Sequence, residues 1–96
     1  MHVYIRPAAL AEIDEAYEWY ASEQAELGNE FLISVQAALE QIGSNPKRYP
    51  VLRNTTRRIL LHRFPYAIYF RVGKNLVAVT ACVHGKRNPI QWQSRR

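Results

Sequence analysis

The side chains of this chain that could do chemistry lie in its second half: His62, Tyr66 and His84, with the cations Arg57, Arg58, Arg63, Lys86 and Arg87 around them. Attack of a 2′-hydroxyl on its neighbouring phosphate needs a base, an acid, and cations to stabilise the charge that grows on the phosphate oxygens. The cations are in good supply. Carboxylates are missing, because the last acidic residue is Glu40. A base would have to be His62, His84, a lysine or Tyr66. His84 reads first as a structural histidine, then as a partner contact and last as that base, and Arg87 first as a partner or nucleic-acid contact, then as a solvated arginine and last as a catalytic cation. If the chain cleaves RNA, the residues to carry it are Arg87, His84, Lys86 and Arg63.

Other chemistries find no support. His2, His62 and His84 are far apart, none stands at the i, i+4 spacing of a helical ligand pair, and the single cysteine, Cys82, excludes a CxxC motif. Gly73 and Gly85 are isolated, so no phosphate-cradling loop is encoded, and the serines lie at helix ends or in the tail, away from any nucleophile elbow. No metal or cofactor is expected. Cys82 falls in an apolar strand and reads as a small buried hydrophobe in a reducing compartment. With no apolar run near the ~18 residues that span a bilayer, the expected setting is cytoplasmic and away from membranes.

Charge sharpens the picture. All eight acidic residues precede residue 46, where Arg6 is the lone Lys or Arg, giving that half a net charge of −7; from Pro46 onward there are twelve Lys and Arg and no acid, a net charge of +12. Twelve like charges repel one another, and a polyanion or an acidic protein would relieve that repulsion. The acids read as the solvated faces of helices.

These residues must be positioned by one domain spanning 1–96, since 96 residues suffice for a single core. Val3 and Ile5 alternate with Tyr4 and Arg6 in a short first strand, which Pro7 ends while opening a helix. Leu10, Ile13, Tyr17 and Tyr20 give that helix an apolar stripe, with Trp19 beside it. Gly28 breaks the pattern and Asn29 caps a second helix, whose face carries Phe31, Leu32, Val35, Ala38, Leu39 and Ile42. So short a link makes an antiparallel helical hairpin. Pro46 to Thr56 reads as a basic loop, and Arg57 to Pro89 as three successive strands. In the second of these, Tyr66, Ile68, Phe70 and Val72 alternate with Ala67, Tyr69 and Arg71. In the third, Val77, Val79, Ala81 and Val83 share one face, and Ala78, Thr80, Cys82 and His84 the other. Gly73-Lys74-Asn75 joins them where positive φ is tolerated. The class is α+β in the order β-α-α-β-β-β, with the hairpin packed on one face of an antiparallel-dominated sheet. The other face is expected to be open, carrying Tyr69, Arg71, Thr80, His84 and His62.

The run from Arg57 to Phe70, with Phe64-Pro65-Tyr66-Ala67 inside it, followed by Val83-His84-Gly85-Lys86-Arg87-Asn88-Pro89 and Trp92, resembles the toxins of type II toxin-antitoxin modules in the RelE/ParE superfamily, once called plasmid stabilisation proteins. Arg6-Pro7-Ala8-Ala9, Leu27-Gly28-Asn29-Glu30-Phe31 and Asn45-Pro46 with Tyr49-Pro50 extend the resemblance over nearly the whole chain. It implies the fold just described and a cognate antitoxin whose C-terminal segment wraps and neutralises the toxin. The RelE branch cleaves mRNA in the ribosomal A site with, among others, an arginine after the tyrosine of the second strand; here that position is Ala67. The wording around Phe64 is closer to the ParE branch, whose members share the fold and inhibit DNA gyrase. The expectation is a bacterial gyrase inhibitor that acts by binding, with a ribosome-dependent mRNA endoribonuclease as the alternative. Arg58, Arg63, His84, Lys86, Arg87 and Trp92 are expected to face target or nucleic acid, and Trp19, Tyr69 and Arg71 the antitoxin.

Overall fold

The computed structural model describes residues 1–86. In order along the chain it contains β1 (His2–Ile5), α1 (Pro7–Glu23), α2 (Ala25–Ser44), a 3₁₀ turn (Pro46–Arg48), β2 (Val51–Arg53), β3 (Thr56–Leu60), β4 (Tyr66–Val72) and β5 (Leu76–His84). The five strands form one sheet in the order β1-β5-β4-β3-β2. Pairing is antiparallel from β2 through β5, and β1 runs parallel to β5 at the edge. A parallel neighbour cannot be reached by a tight turn: the chain leaves β1 through the α1–α2 hairpin, laid over one face, enters the sheet again at β2 on the opposite edge and meanders back to β5. The α+β reading and the hairpin-on-sheet arrangement therefore hold, with a strand more than the sequence suggests: the stretch read as a basic loop contains the 3₁₀ turn and β2. Three exposed residues make so weak an alternating signal that β2 is invisible in the sequence. No helix among the described residues is long and apolar enough to cross a membrane.

The hairpin breaks at Gln24, whose extended backbone separates α1 from α2, and not at Gly28. Gly28 and Asn29 lie inside α2. Glycine is there because the helices touch: a Cβ at position 28 would stand 2.8 Å from the Cβ of Ala21 and 3.0 Å from a ring carbon of Tyr17. The core stripe of α1 is also rotated from its expected line. Ala9, Ile13 and Ala16 are buried while Leu10 is exposed, because small residues let α1 lie close over β5. On α2, Phe31, Val35, Ala38 and Ile42 are buried, and Leu32 points outward. Phe31 is the centre of an aromatic cluster, with ring centroids 5.3 Å from Tyr20 and 5.4 Å from both Phe64 and Tyr66. Burial in this cluster raises the pKa of the Tyr20 hydroxyl.

One residue in β5 breaks the alternation. Tyr69 pairs with Ala81 and Phe70 with Val79, so Thr80 is an extra residue, a β-bulge, its hydroxyl donating to the Tyr69 carbonyl at 3.3 Å. Val77 and Val79 face the helices as expected, but beyond the bulge the faces exchange. Cys82 joins the main core, and Ala81 and Val83 join Ala67 and Tyr69 on the opposite face. His84 pairs with Tyr66 on the helix side and not on the far face. Nor is that far face open in the expected way, since Ala67, Tyr69, Thr80, Ala81 and Val83 are all buried. The β4–β5 turn uses no positive-φ glycine; left-handed backbone occurs at Asn54 and Arg63.

The bulge has a fastening. β1 ends its pairing at Val79, so β5 loses its edge neighbour there, and the Cys82 N–H is taken by a carboxylate oxygen of Glu12 from α1 at 2.9 Å. Glu12→Ala leaves that part-buried donor unsatisfied and is expected to cost about 1–3 kcal/mol. Glu12→Gln retains an acceptor and should lose clearly less. Denaturant melts of the two variants check the order, and equal losses would refute the fastening.

Candidate target-binding groove

Strand β3 divides its side chains by parity. Ile59 and, just past the strand, Leu61 point into the core, while Arg58 and Leu60 point to the far face. Arg58 stands opposite Tyr69 and Leu60 opposite Ala67 in β4, which in turn stand opposite Ala81 and Val83 in β5. At this end of the sheet the small Ala67 lies between Leu60 and Val83, and the result is a groove of about 380 Å³, closed by Pro65 and Gly85. The Gly85 N–H donates to the Pro65 carbonyl at 2.7 Å and ties the end of β5 to the β3–β4 connection. The groove lining is mostly apolar; Arg58 and His84 are its charged or titratable members beside two tyrosines, and no carboxylate lines it. Leu60 is 67% exposed, a large apolar side chain standing in solvent at the rim.

The cations expected to act together are dispersed. Arg57 donates to the backbone carbonyls of Tyr49 and Lys47 and closes the 3₁₀ turn onto β3. Arg71 donates to the Thr55 hydroxyl at 2.9 Å. Arg63, at φ 75°, pairs with Glu30 at 3.1 Å and stacks over Phe64. It lines a second groove, between α2 and the β3–β4 connection, with Ile33, Ala37 and His62. There Ser34 donates to the His62 carbonyl at 3.0 Å and helps to hold the left-handed turn. The Arg58 side chain makes no ion pair or hydrogen bond among the described residues. Lys86 is exposed just past β5; Arg87 and Trp92 lie outside the described residues.

His84 is edge-on to Tyr66 at 5.1 Å, and its Nδ1 accepts the Lys86 N–H at 3.1 Å. An accepting Nδ1 places the proton of the neutral ring on Nε2, an assignment made from the bonding pattern. That tautomer donates through Nε2. To remove a proton with Nε2 the ring would have to give up the Lys86 bond.

Nor do the residues expected to meet a second partner share a face. Trp19, 62% exposed, belongs to α1 and lines a cleft with Glu12, Glu15, Glu18, Tyr66 and His84 on the helix side. Tyr69 and Arg71 belong to β4, Tyr69 on the far face and only 6% exposed. Leu60, Ala67 and Val83, which shape the groove, escape a search for polar chemistry. A signal for Leu60 exists: Ile59, Leu60 and Leu61 are consecutive, and a strand must turn one of any such three to the face opposite its neighbours.

Comparison with known proteins agrees with the fold. Residues 3–89 match the family described as ParE toxin of type II toxin-antitoxin system, parDE. A solved chain from the chromosomal ParDE toxin-antitoxin system of P. aeruginosa has the same fold, with a TM-score of 0.66 at 21% identity, covering 88% of this chain and 95% of that one. No curated protein sequence matches the chain.

Proposed function

The chain belongs to the ParE toxin family of type II toxin-antitoxin systems, and we propose from this premise that it acts by binding, with DNA gyrase as its target and a cognate antitoxin as its neutralising partner. The observation that carries the choice of binding over cleavage is Ala67. Where RelE-like nucleases carry a catalytic arginine, this chain has the small apolar floor of a groove. The bonding of His84 supports the same reading, since Nδ1 of its ring already accepts the Lys86 N–H. A surface of this composition, mostly apolar and without a carboxylate, suits holding a partner by shape and burial.

Purified toxin in molar excess is expected to block supercoiling by gyrase or to trap cleaved DNA. Supercoiling that proceeds unchanged at that excess would refute the proposal. Induced alone in a bacterium, the toxin should produce filaments with DNA damage while transcripts stay intact; rapid translational arrest with cleaved mRNA, lost in His84→Ala, would favour the nuclease. The expected antitoxin is acidic and amphipathic in its C-terminal segment, because the basic half of this chain has no carboxylates of its own.

A further inference from the structure

We propose that Leu60, Ala67 and Val83 form a socket for one apolar side chain on the protein surface of gyrase, and that Arg58 pairs with a carboxylate next to that side chain. The proposal rests on gyrase being the target, and it adds which part of the toxin reads that target and what it reads.

The shape follows from side-chain size. Ala67 is flanked across the strands by Leu60 and Val83, so the sheet surface dips at Ala67 and rises on either side. Ala67 and Val83 are buried at the floor and wall of the dip, whereas Leu60 projects into solvent at its rim, so an apolar group seated there gains its contact chiefly with Leu60, a side chain that has no cover among the described residues.

Charge decides the class of occupant. The side chains of Arg57, Arg63 and Arg71 already bond within the chain, and that of Arg58, two residues from Leu60 on the same face, makes no ion pair or hydrogen bond among the described residues. Single-stranded nucleic acid is held by a rail of cations and by exposed aromatic faces on which bases stack. Among the described residues that line the groove Arg58 is the one Lys or Arg, and Tyr69 is 6% exposed. An apolar anchor beside one unpaired arginine is the composition of a protein–protein hot spot, and the arginine selects an acidic neighbour for the anchor.

Four variants test this in supercoiling by purified gyrase, with binding to bare DNA and thermal midpoints measured alongside. Ala67→Leu fills the socket without changing charge, Leu60→Glu sets a carboxylate beside Arg58 at a site already in solvent, Arg58→Glu reverses the rim charge, and Arg58→Lys keeps it. The first three are expected to raise the toxin concentration for half-inhibition by about tenfold or more, the effect of losing a hot-spot contact, and Arg58→Lys by less. Should Ala67→Leu fail to fold, Leu60→Glu decides, because position 60 is outside the core. Folded Leu60→Glu and Ala67→Leu that inhibit like wild type overturn the socket. If Arg58→Glu loses bare-DNA binding in step with inhibition, a nucleic acid occupies the groove and the proposal also fails. A wild-type toxin without effect on supercoiling removes gyrase as the target, and the wild-type lane alone reveals that.

Discussion

Phe31→Ala is expected to destabilise the domain by about 3–5 kcal/mol, the range for truncating a buried phenylalanine. That is a large part of the roughly 5–15 kcal/mol by which domains are stable at all. Phe31 is fully buried and touches the rings of Tyr20, Phe64 and Tyr66. Those rings come from three parts of the chain: α1, the β3–β4 connection and the start of β4. Removing the central ring therefore costs burial and also frees the three elements from one another. Because Phe64 and Tyr66 line the groove beside Ala67, the groove should loosen before the whole domain melts. Urea unfolding measures the first effect, and faster amide exchange at Phe64 to Ala67 than in β5 measures the second. A loss under about 1 kcal/mol would mean that the cluster does not carry the packing ascribed to it.

Gly28→Val should come next in size, at about 2–3 kcal/mol, as expected for overpacking. The clash is with backbone as well as side chain, since Ala21 Cα lies 3.1 Å from the position of an added Cβ. Neither helix can yield without parting the hairpin, and parting it lifts Phe31, three residues along the same helix, out of its ring cluster. Gly28→Ala should cost less, because the gain in helix propensity of nearly 1 kcal/mol offsets part of the overlap. Thermal melts of both variants check the order. A valine variant as stable as wild type would show that the crossing has slack.

The hairpin, the order of the main strands and the identity of the second-helix core are legible in the residues, because period 3.6 and period 2 are strong over long segments. Phe31, Val35, Ala38 and Ile42 fall where spacing puts them. Leu10 does not, since hydrophobicity favours leucine over the alanines that close packing on β5 selects. Gly28 looks like a helix stop in the sequence, yet it is a contact point, and only the partner helix shows the difference. The site was legible in a different measure. Arg58 and His84 do reach one groove, while Arg63 is turned to another by its left-handed backbone, and Trp19 stands on the opposite side of the sheet from Tyr69. Polar residues announce chemistry, whereas Leu60, Ala67 and Val83 matter only through the relief that three paired strands create.

The extra residue at Thr80 acts on β5 as a half-period phase shift. Before it, Val77 and Val79 belong to the helix side; after it, Cys82 and His84 do. The last strand is thus written in two reading phases, and any rule of alternation has to be applied to Leu76–Val79 and Ala81–His84 separately. Substitution tolerance along the strand must change parity halfway. Deleting Thr80 would merge the two phases into one regular alternation, in which Val79 and Ala81 become neighbours while Cys82 keeps its core position and Val83 its place at the groove wall; deleting a residue between Val77 and Val79 would instead put the start of the strand on the wrong face of the sheet.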